Sequence, residues 1–193
     1  TSTDMVMMTI GGNDLGFDDI IKSCFAAVLR SASDCQSKIN EARGQFDKLE
    51  DKLGSVLSSL NSRLRPDAKI VLLGYPLLAL NNNESLSGFP VSKEVRKLGL
   101  EGNSRQKKIV NAYNKSIGQE KVIFIDSLPQ RFYGHEPDAS IFRKNHDRWI
   151  HEFFEPSAFN MSSWYHPNFL GHSSYMSALR ERVPLPNLVK PIV

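Results

Sequence analysis

Two short motifs contain the side chains of this sequence that could do chemistry. The first, Gly11-Gly12-Asn13-Asp14, follows an apolar run typical of a buried strand, and open α/β sheets bind ligands at the carboxyl ends of their strands. Adjacent glycines let the backbone approach a ligand, and the Asn13 amide can donate a hydrogen bond to a developing oxyanion. Gly, Asn and Asp are also common in ordinary turns, so this motif alone does not distinguish a site from a turn.

The second motif is His166-Pro167-Asn168-x-x-Gly171-His172, which follows a long segment without periodicity. Pro167 fits the first turn of a final helix, and this placement would hold His166 on a short rigid corner. A general base needs such fixed placement. A lone histidine before proline is usually a surface or capping residue, but the whole combination is much rarer and favours a functional site.

Elements of an α/β fold surround the two motifs. Three apolar runs predict buried parallel strands, at residues 4–10, 69–75 and 121–126. Helical spacing of apolar residues predicts four helices: at 17–29, from Ile39 to Leu64, at 91–117 and at 168–182. Glycines predict a break in the third helix near Gly99 or Gly102. Residues 129–163 are predicted as a long structured loop. Strands that alternate with helices predict right-handed βαβ units around a parallel sheet, in one domain over residues 1–193.

The number of predicted strands is low for a doubly wound sheet, which usually has about five or six. The chain also opens directly on a strand, and it starts at Thr1 rather than Met. We therefore expect a processed chain from which the N-terminal part of the fold is missing. The alternative is a small three-stranded domain that is complete in itself.

Composition excludes several classes of protein. The 193 residues are 40% hydrophobic with a net charge of +3, which excludes a disordered chain. No basic block interleaved with aromatics occurs, which disfavours nucleic-acid binding, and no run approaches the roughly 18 apolar residues of a membrane span. The histidines lack the spacing and partners of a zinc site, and no glycine-rich phosphate loop with Lys occurs. We therefore expect no metal, no cofactor, no nucleic acid and no membrane span.

Cysteines and glycosylation triplets bear on the cellular compartment. Cys24 and Cys35 are either buried free thiols or a local disulfide, because the residues between them can form the turn that a disulfide needs. Asn83, Asn114 and Asn160 begin Asn-x-Ser triplets, which arise by chance and add only modestly to an extracellular interpretation. We place secretion ahead of a cytosolic location.

Together the two motifs resemble the Gly-x-Asn-Asp and His-Pro-Asn-x-x-Gly-His blocks of the SGNH (GDSL-type) hydrolases. Gly-Gly-Asn-Asp-Leu-Gly-Phe with two cysteines after it, Leu-Gly-Tyr-Pro after the second strand, and Phe-Tyr-Gly-His-Glu at residues 132–136 are similar to the secreted esterase branch. The likeness spans residues 4–180. It implies a flavodoxin-like, three-layer α/β/α fold, a Cys24–Cys35 disulfide and a secreted serine esterase or lipase that hydrolyses small-molecule carboxylic esters without a cofactor.

The resemblance also assigns roles to individual residues. Asn13 would be the side-chain oxyanion donor, on an oxyanion loop shaped by Gly12 and Asp14. His166 would be the general base, whereas His135 and His172 would be structural. The family often has Asp three residues before this histidine, but Ser163 stands there. We therefore expect the main-chain carbonyl of Ser163 to orient His166, which favours a Ser-His dyad over a triad.

The family's nucleophile is missing from this sequence. Its Gly-Asp-Ser block does not occur, and Ser173 and Ser174 lie within the predicted last helix rather than after a strand. The resemblance thus implies that an N-terminal segment or a second chain supplies the serine and pairs with the strand at 4–10, so that the isolated chain is inactive. Two alternatives are a catalytically inactive SGNH-like binding module and a carbohydrate-deacetylating esterase.

Overall fold

The computed structural model describes residues 3–152 and 164–183. Its strands are β1 (Met5–Met8), β2 (Lys69–Leu73) and β3 (Val122–Ile125). Its helices are α1 (Phe17–Phe25), α2 (Ala32–Gly44), α3 (Phe46–Asn61), α4 (Val91–Ile117), α5 (Leu128–Arg131) and α6 (Phe169–Arg182), with a 3-10 turn at Asn13–Leu15.

The three strands form one parallel sheet in the order β1-β2-β3. In β2, Ile70 and Leu72 pack with residues of α3 and α4, whereas Val71 and Leu73 belong to the larger cluster that includes residues of α6. Successive side chains of a strand point to opposite faces, so helices cover both faces of the sheet. The predicted α/β architecture with a parallel sheet is therefore confirmed.

The helix predicted at 17–29 ends at Phe25, and the short helix α5 includes the first residues of the predicted loop at 129–163. Two further helix predictions were wrong, and packing explains one of them. The long face from Ile39 to Leu64 is divided between α2 and α3, which meet at Gln45 directly after Gly44. In contrast, α4 continues unbroken through Gly99 and Gly102. A β-carbon at Gly99 would lie 2.9 Å from Leu77 Cδ2, so the glycine permits close packing there although it is a poor helix former.

The expected disulfide joins α1 to α2. Cys24 and Cys35 form it at a separation of 11 residues, and both sulfur-bearing side chains are fully buried. Two further hydrogen bonds order the connection between the helices, from Ser31 N–H to Ser23 O and from Asp34 N–H to the Ser31 side chain. The free-thiol alternative is therefore rejected.

Removal of this disulfide is expected to lower the free energy of unfolding. For a closed loop of this length, the change from losing the cross-link is about 3 kcal/mol. Urea denaturation of the Cys24→Ser/Cys35→Ser variant measures it. Reductant should destabilise the wild-type chain to the same degree and leave the variant unchanged. A variant as stable as the oxidised wild type would contradict this expectation.

The first strand is less buried than predicted because it lies at the edge of the described sheet. Residues Met5, Val6 and Met8 are half-buried, and Met7 is 51% exposed. Only β2 pairs with β1 among the described strands, so the other edge of β1 presents an apolar strand without a partner there. None of the described helices is long and apolar enough to cross a membrane.

Candidate active site

A cavity of about 650 Å³ lies at the carboxyl ends of β1 and β2 and brings the two sequence motifs together. Gly12, Asn13 and Asp14 line it from one side, and His166 and His172 line it from another. The side chains of Asn13 and His166 are both exposed. The sequence-predicted oxyanion donor and general base thus face one cavity, at the edge of the sheet where α/β folds bind ligands.

The predicted oxyanion loop has a conformation that requires glycine at its first position. Gly11 has φ +106°, and a β-carbon there would lie 2.9 Å from Leu49 Cδ1. The Gly12 carbonyl then accepts hydrogen bonds from the N–H groups of Leu15 and Phe17. The chain therefore turns tightly into α1, and the Asn13 side chain remains free to face the cavity.

Several side chains from other elements hold this loop. Gln106 of α4 donates from Nε2 to the Ile10 carbonyl at 2.7 Å, and Lys52 of α3 pairs with Asp14 at 2.6 Å. The Gly12 N–H donates to the Tyr75 hydroxyl at 3.3 Å. The Gly12 N–H is therefore engaged by Tyr75 within the chain, and the loop-shaping role of Gly12 stays a prediction.

Sequence reasoning did not identify Gln106 or Tyr75 as supports of the site. Gln106 is 3% exposed and occupies a position in the apolar stripe of α4. A polar residue in such a stripe is the signal that could have identified it, because buried polar groups are nearly always hydrogen-bonded. Tyr75 belongs to the Leu-Gly-Tyr-Pro segment after β2 that carries part of the resemblance, but the resemblance assigned it no role.

The tyrosine hydroxyls at the cavity are protonated near neutral pH. Burial raises the pKa of Tyr75 and of Tyr175, and it raises the pKa of Tyr165 well above the ordinary value. A neutral phenol is neither an anionic nucleophile nor a strong base. These three residues are therefore hydrogen-bonding and packing groups.

The corner that holds His166 is fixed by an antiparallel bridge between Ile150 and Pro167. The His151 N–H donates to the His166 carbonyl at 2.9 Å, and the Asn168 N–H donates to the Trp149 carbonyl at 2.9 Å. Asn168 caps α6 by accepting from the Gly171 N–H at 3.1 Å. Pro167 therefore lies before the helix cap, not in the first turn as predicted, and the strand-like bridge rather than the helix makes the corner rigid.

Tyr165, immediately before His166, has an unusual backbone conformation. Its φ is +58°, which is costly for a bulky residue by about 1–3 kcal/mol. The buried ring stacks on Phe25 with 4.8 Å between centroids, and the N–H donates to the His151 carbonyl at 3.1 Å. Phe25 is the neighbour of Cys24 in the disulfide. Through Phe25, the disulfide-linked α1–α2 pair thus packs against Tyr165, the residue that precedes the candidate base His166.

The remaining sequence-predicted residues have varied positions. His135 stacks on Trp149 at 3.8 Å and its Nδ1 contacts the Asp147 carbonyl, which is a packing role. His172 lies at the cavity on α6. Ser163 lies outside the described residues. Within 3–152 and 164–183, no carboxylate pairs with or bonds to the His166 imidazole, so the orienting carbonyl of Ser163 stays a prediction.

A nucleophile is not found among the described residues that line the cavity. They include no serine or cysteine, and Thr9, at the end of β1, is the aliphatic hydroxyl in the lining. Ser173 and Ser174 lie inside α6, as predicted. In the described ranges, no group of three or more His, Cys, Asp or Glu side chains could hold a metal ion.

Comparison with known sequences finds two lipases. Lipase 1 of Streptomyces coelicolor and a lipase of Streptomyces rimosus are each 40% identical to the chain over 77 residues. That segment is 39% of this chain and spans only 27% of the length of either relative. No protein-family model matches the chain.

Comparison with solved structures extends the likeness over nearly the whole chain. The phospholipase A1 of Streptomyces albidoflavus superposes with a TM-score of 0.72 at 29% identity, and the extracellular lipase of Streptomyces rimosus with 0.71 at 26%. Each match covers 94% of this chain and 70% of the solved one. The motifs, the fold and both comparisons agree: the chain is similar in sequence and in fold to the Streptomyces lipases, and this likeness supports the SGNH hydrolase family.

Proposed function

We propose that this chain supplies the oxyanion donor and the general base of a secreted serine esterase that hydrolyses carboxylic esters of lipids. The observation that supports this most strongly is the shared cavity of Asn13 and His166 at the carboxyl ends of the strands. The disulfide is typical of oxidising compartments and supports secretion, as does the description of the Streptomyces rimosus relative as extracellular. Residues 1–193 would form part of one SGNH domain.

In this mechanism the serine hydroxyl attacks the ester carbonyl carbon while His166 Nε2 accepts its proton. The carbonyl electron pair moves to oxygen, and the Asn13 side-chain amide donates a hydrogen bond to that oxyanion. The intermediate collapses, the alcohol leaves with the proton from His166, and the acyl group stays on serine. Water, deprotonated by His166, then releases the carboxylic acid and regenerates the serine. The Ser163 carbonyl would orient the imidazole.

The serine would come from a strand that pairs with the open edge of β1. Parallel sheets are normally covered on both faces and have apolar inner strands, and β1 is apolar but half-exposed. Thr9 and Ile10, which follow β1, line the cavity, so a neighbouring parallel strand would also end there. Its terminal serine could then lie about 3 Å from His166 Nε2, within proton-transfer reach.

An inactive SGNH-like binding module is the second candidate function. The absence of serine and cysteine from the described lining of the cavity favours it. A carbohydrate-deacetylating esterase would use the same residues on another ester, so it differs from the main proposal only in substrate.

Reconstitution tests the proposed function. The pure chain should show no turnover of a short-chain aryl ester, and co-expression with a Gly-Asp-Ser strand from an SGNH relative should restore activity. Asn13→Ala in the reconstituted protein should lower kcat by about 10²–10³-fold, because one oxyanion donor is lost. Failure of reconstitution in a correctly assembled complex would favour the binding module. Turnover by the pure chain that Thr9→Val abolishes would instead identify Thr9 as the nucleophile and refute the proposal.

A further inference from the structure

Two apolar pairs protrude from loops at the surface. Val28 and Leu29, between α1 and α2, are 92% and 63% exposed. Ile141 and Phe142, in the segment after α5, are 42% and 88% exposed. Single exposed apolar residues are normal, but contiguous exposed groups of large ones mark interaction surfaces. We call these four residues the apolar patch.

The two loops of the apolar patch lie against each other. Arg30, which follows Leu29, donates from Nη1 to the carbonyl of Ala139 at 2.9 Å, two positions before Ile141. Ala27 and Ile141 also line the same small cavity between the loops. The two apolar pairs therefore belong to one surface region and not to separate parts of the protein.

Basic residues follow both apolar pairs. Arg30 follows the first, and Arg143 with Lys144 follows the second. Arg143 pairs with Glu84 at 2.6 Å and with Asp138 at 3.2 Å, so Lys144, which is exposed, provides the positive charge beside Phe142. Lysine is depleted from protein–protein interfaces, whereas apolar side chains next to lysine suit an anionic phospholipid surface.

The apolar patch lies close to the candidate active site. Tyr165 lines both the small cavity between the two loops and the large cavity that contains His166. The buried side chain of Tyr165 is thus shared by the two cavities. The Cys24–Cys35 disulfide also anchors both ends of the loop with Val28 and Leu29, so little conformational entropy is lost when that loop binds.

We propose that the apolar patch docks this protein on the surface of anionic phospholipid membranes or aggregates. Val28 and Phe142 would insert into the boundary between headgroups and acyl chains, and Lys144 would contact anionic headgroups. The purpose of docking, which is to bring lipid esters to His166, rests on the proposed function. Binding itself does not depend on turnover and can be measured without it.

Binding can be measured apart from turnover on vesicles of ether-linked phosphatidylcholine and phosphatidylglycerol in equal amounts, because these lipids contain no carboxylic ester. The wild-type chain should co-sediment with them. The Val28→Ser/Phe142→Ser variant should show a partition coefficient at least tenfold lower, since it loses two buried apolar side chains. The matched control is Leu100→Ser/Tyr133→Ser, whose two exposed residues lie near another cavity between α4 and α5. It should bind like the wild type.

Further measurements test the contribution of the Lys144 charge and distinguish a lipid surface from a second copy of this chain as the partner of the apolar patch. Lys144→Gln should weaken binding about fivefold on the mixed vesicles and leave binding to pure phosphatidylcholine unchanged. Equal binding by the wild type and the Val28→Ser/Phe142→Ser variant would overturn the proposal, as would no binding by either. A wild-type dimer in light scattering that the same double substitution dissolves would assign the patch to a second copy instead. Docking on ester-linked vesicles without hydrolysis by the reconstituted protein would refute the proposed function alone.

Discussion

His166→Ala is expected to lower kcat/KM of the reconstituted enzyme by about 10⁴-fold on a short, soluble aryl ester. In the proposed mechanism the His166 imidazole accepts the serine proton and returns it to the leaving alcohol. Its removal therefore affects both halves of the reaction, while the binding of substrate is left largely intact. Initial rates over a range of ester concentrations should show the loss in kcat rather than in KM.

Two other histidines are the controls for this substitution. His172→Ala removes an imidazole that lines the same cavity and should reduce kcat/KM by less than about tenfold, because the proton is taken by His166. His146→Ala changes an exposed residue that does not line the cavity and should leave kcat/KM unchanged. A larger loss from His172→Ala than from His166→Ala would reverse the assignment of the base.

Glu136→Ala is expected to cause the largest loss of stability, about 3 kcal/mol or more in the free energy of unfolding. The Glu136 side chain is fully buried, accepts from Arg96 at 2.6 Å and accepts from the Gly134 N–H at 2.8 Å. Arg96 is itself largely buried, although it also donates to the Ala79 carbonyl at 2.6 Å. Removal of the Glu136 carboxylate leaves the Arg96 guanidinium without a counter-charge and the Gly134 N–H without an acceptor. Urea denaturation measures the resulting loss of stability.

A paired replacement distinguishes lost charge compensation from lost packing. Arg96→Met/Glu136→Leu removes both charges and should be less destabilising than Glu136→Ala, since no buried ion is left alone. Glu41→Ala, which breaks an exposed pair with Lys38, should produce no measurable change. Equal destabilisation by the single and the paired replacement would show that packing, not charge, determines the loss.

Sequence patterns identified most elements because they depend on local periodicity. The apolar runs at β2 and β3 and the stripe of α4 each lie where they were predicted. Whether a helix is interrupted depends instead on tertiary packing. Glycine is a poor helix former, but Gly99 stays within α4 because Leu77 packs closely against it. A pattern in a single sequence does not reveal that close approach. Propensity therefore predicted an interruption that tertiary packing removes.

The candidate site was predictable where short motifs describe it and not where distant elements support it. Asn13 and His166 belong to compact motifs that can be recognised without a structure. Gln106, which donates a hydrogen bond to the Ile10 carbonyl just before the predicted oxyanion loop, is 96 residues away from that partner in the sequence. The left-handed backbone at Tyr165 is likewise invisible in sequence, because an aromatic residue does not predict positive φ.

The short span of the Cys24–Cys35 link has a consequence for the order in which this chain folds. Closing 11 residues costs less chain entropy than joining Met5 to Lys69, which are 64 positions apart, by about 1.5 kcal/mol. The α1–α2 hairpin can therefore become ordered before the sheet is assembled. Phe25 is then in place when Tyr165 arrives from the far end of the chain. We therefore expect the corner that holds His166 to form late in folding, after the α1–α2 hairpin against which it packs.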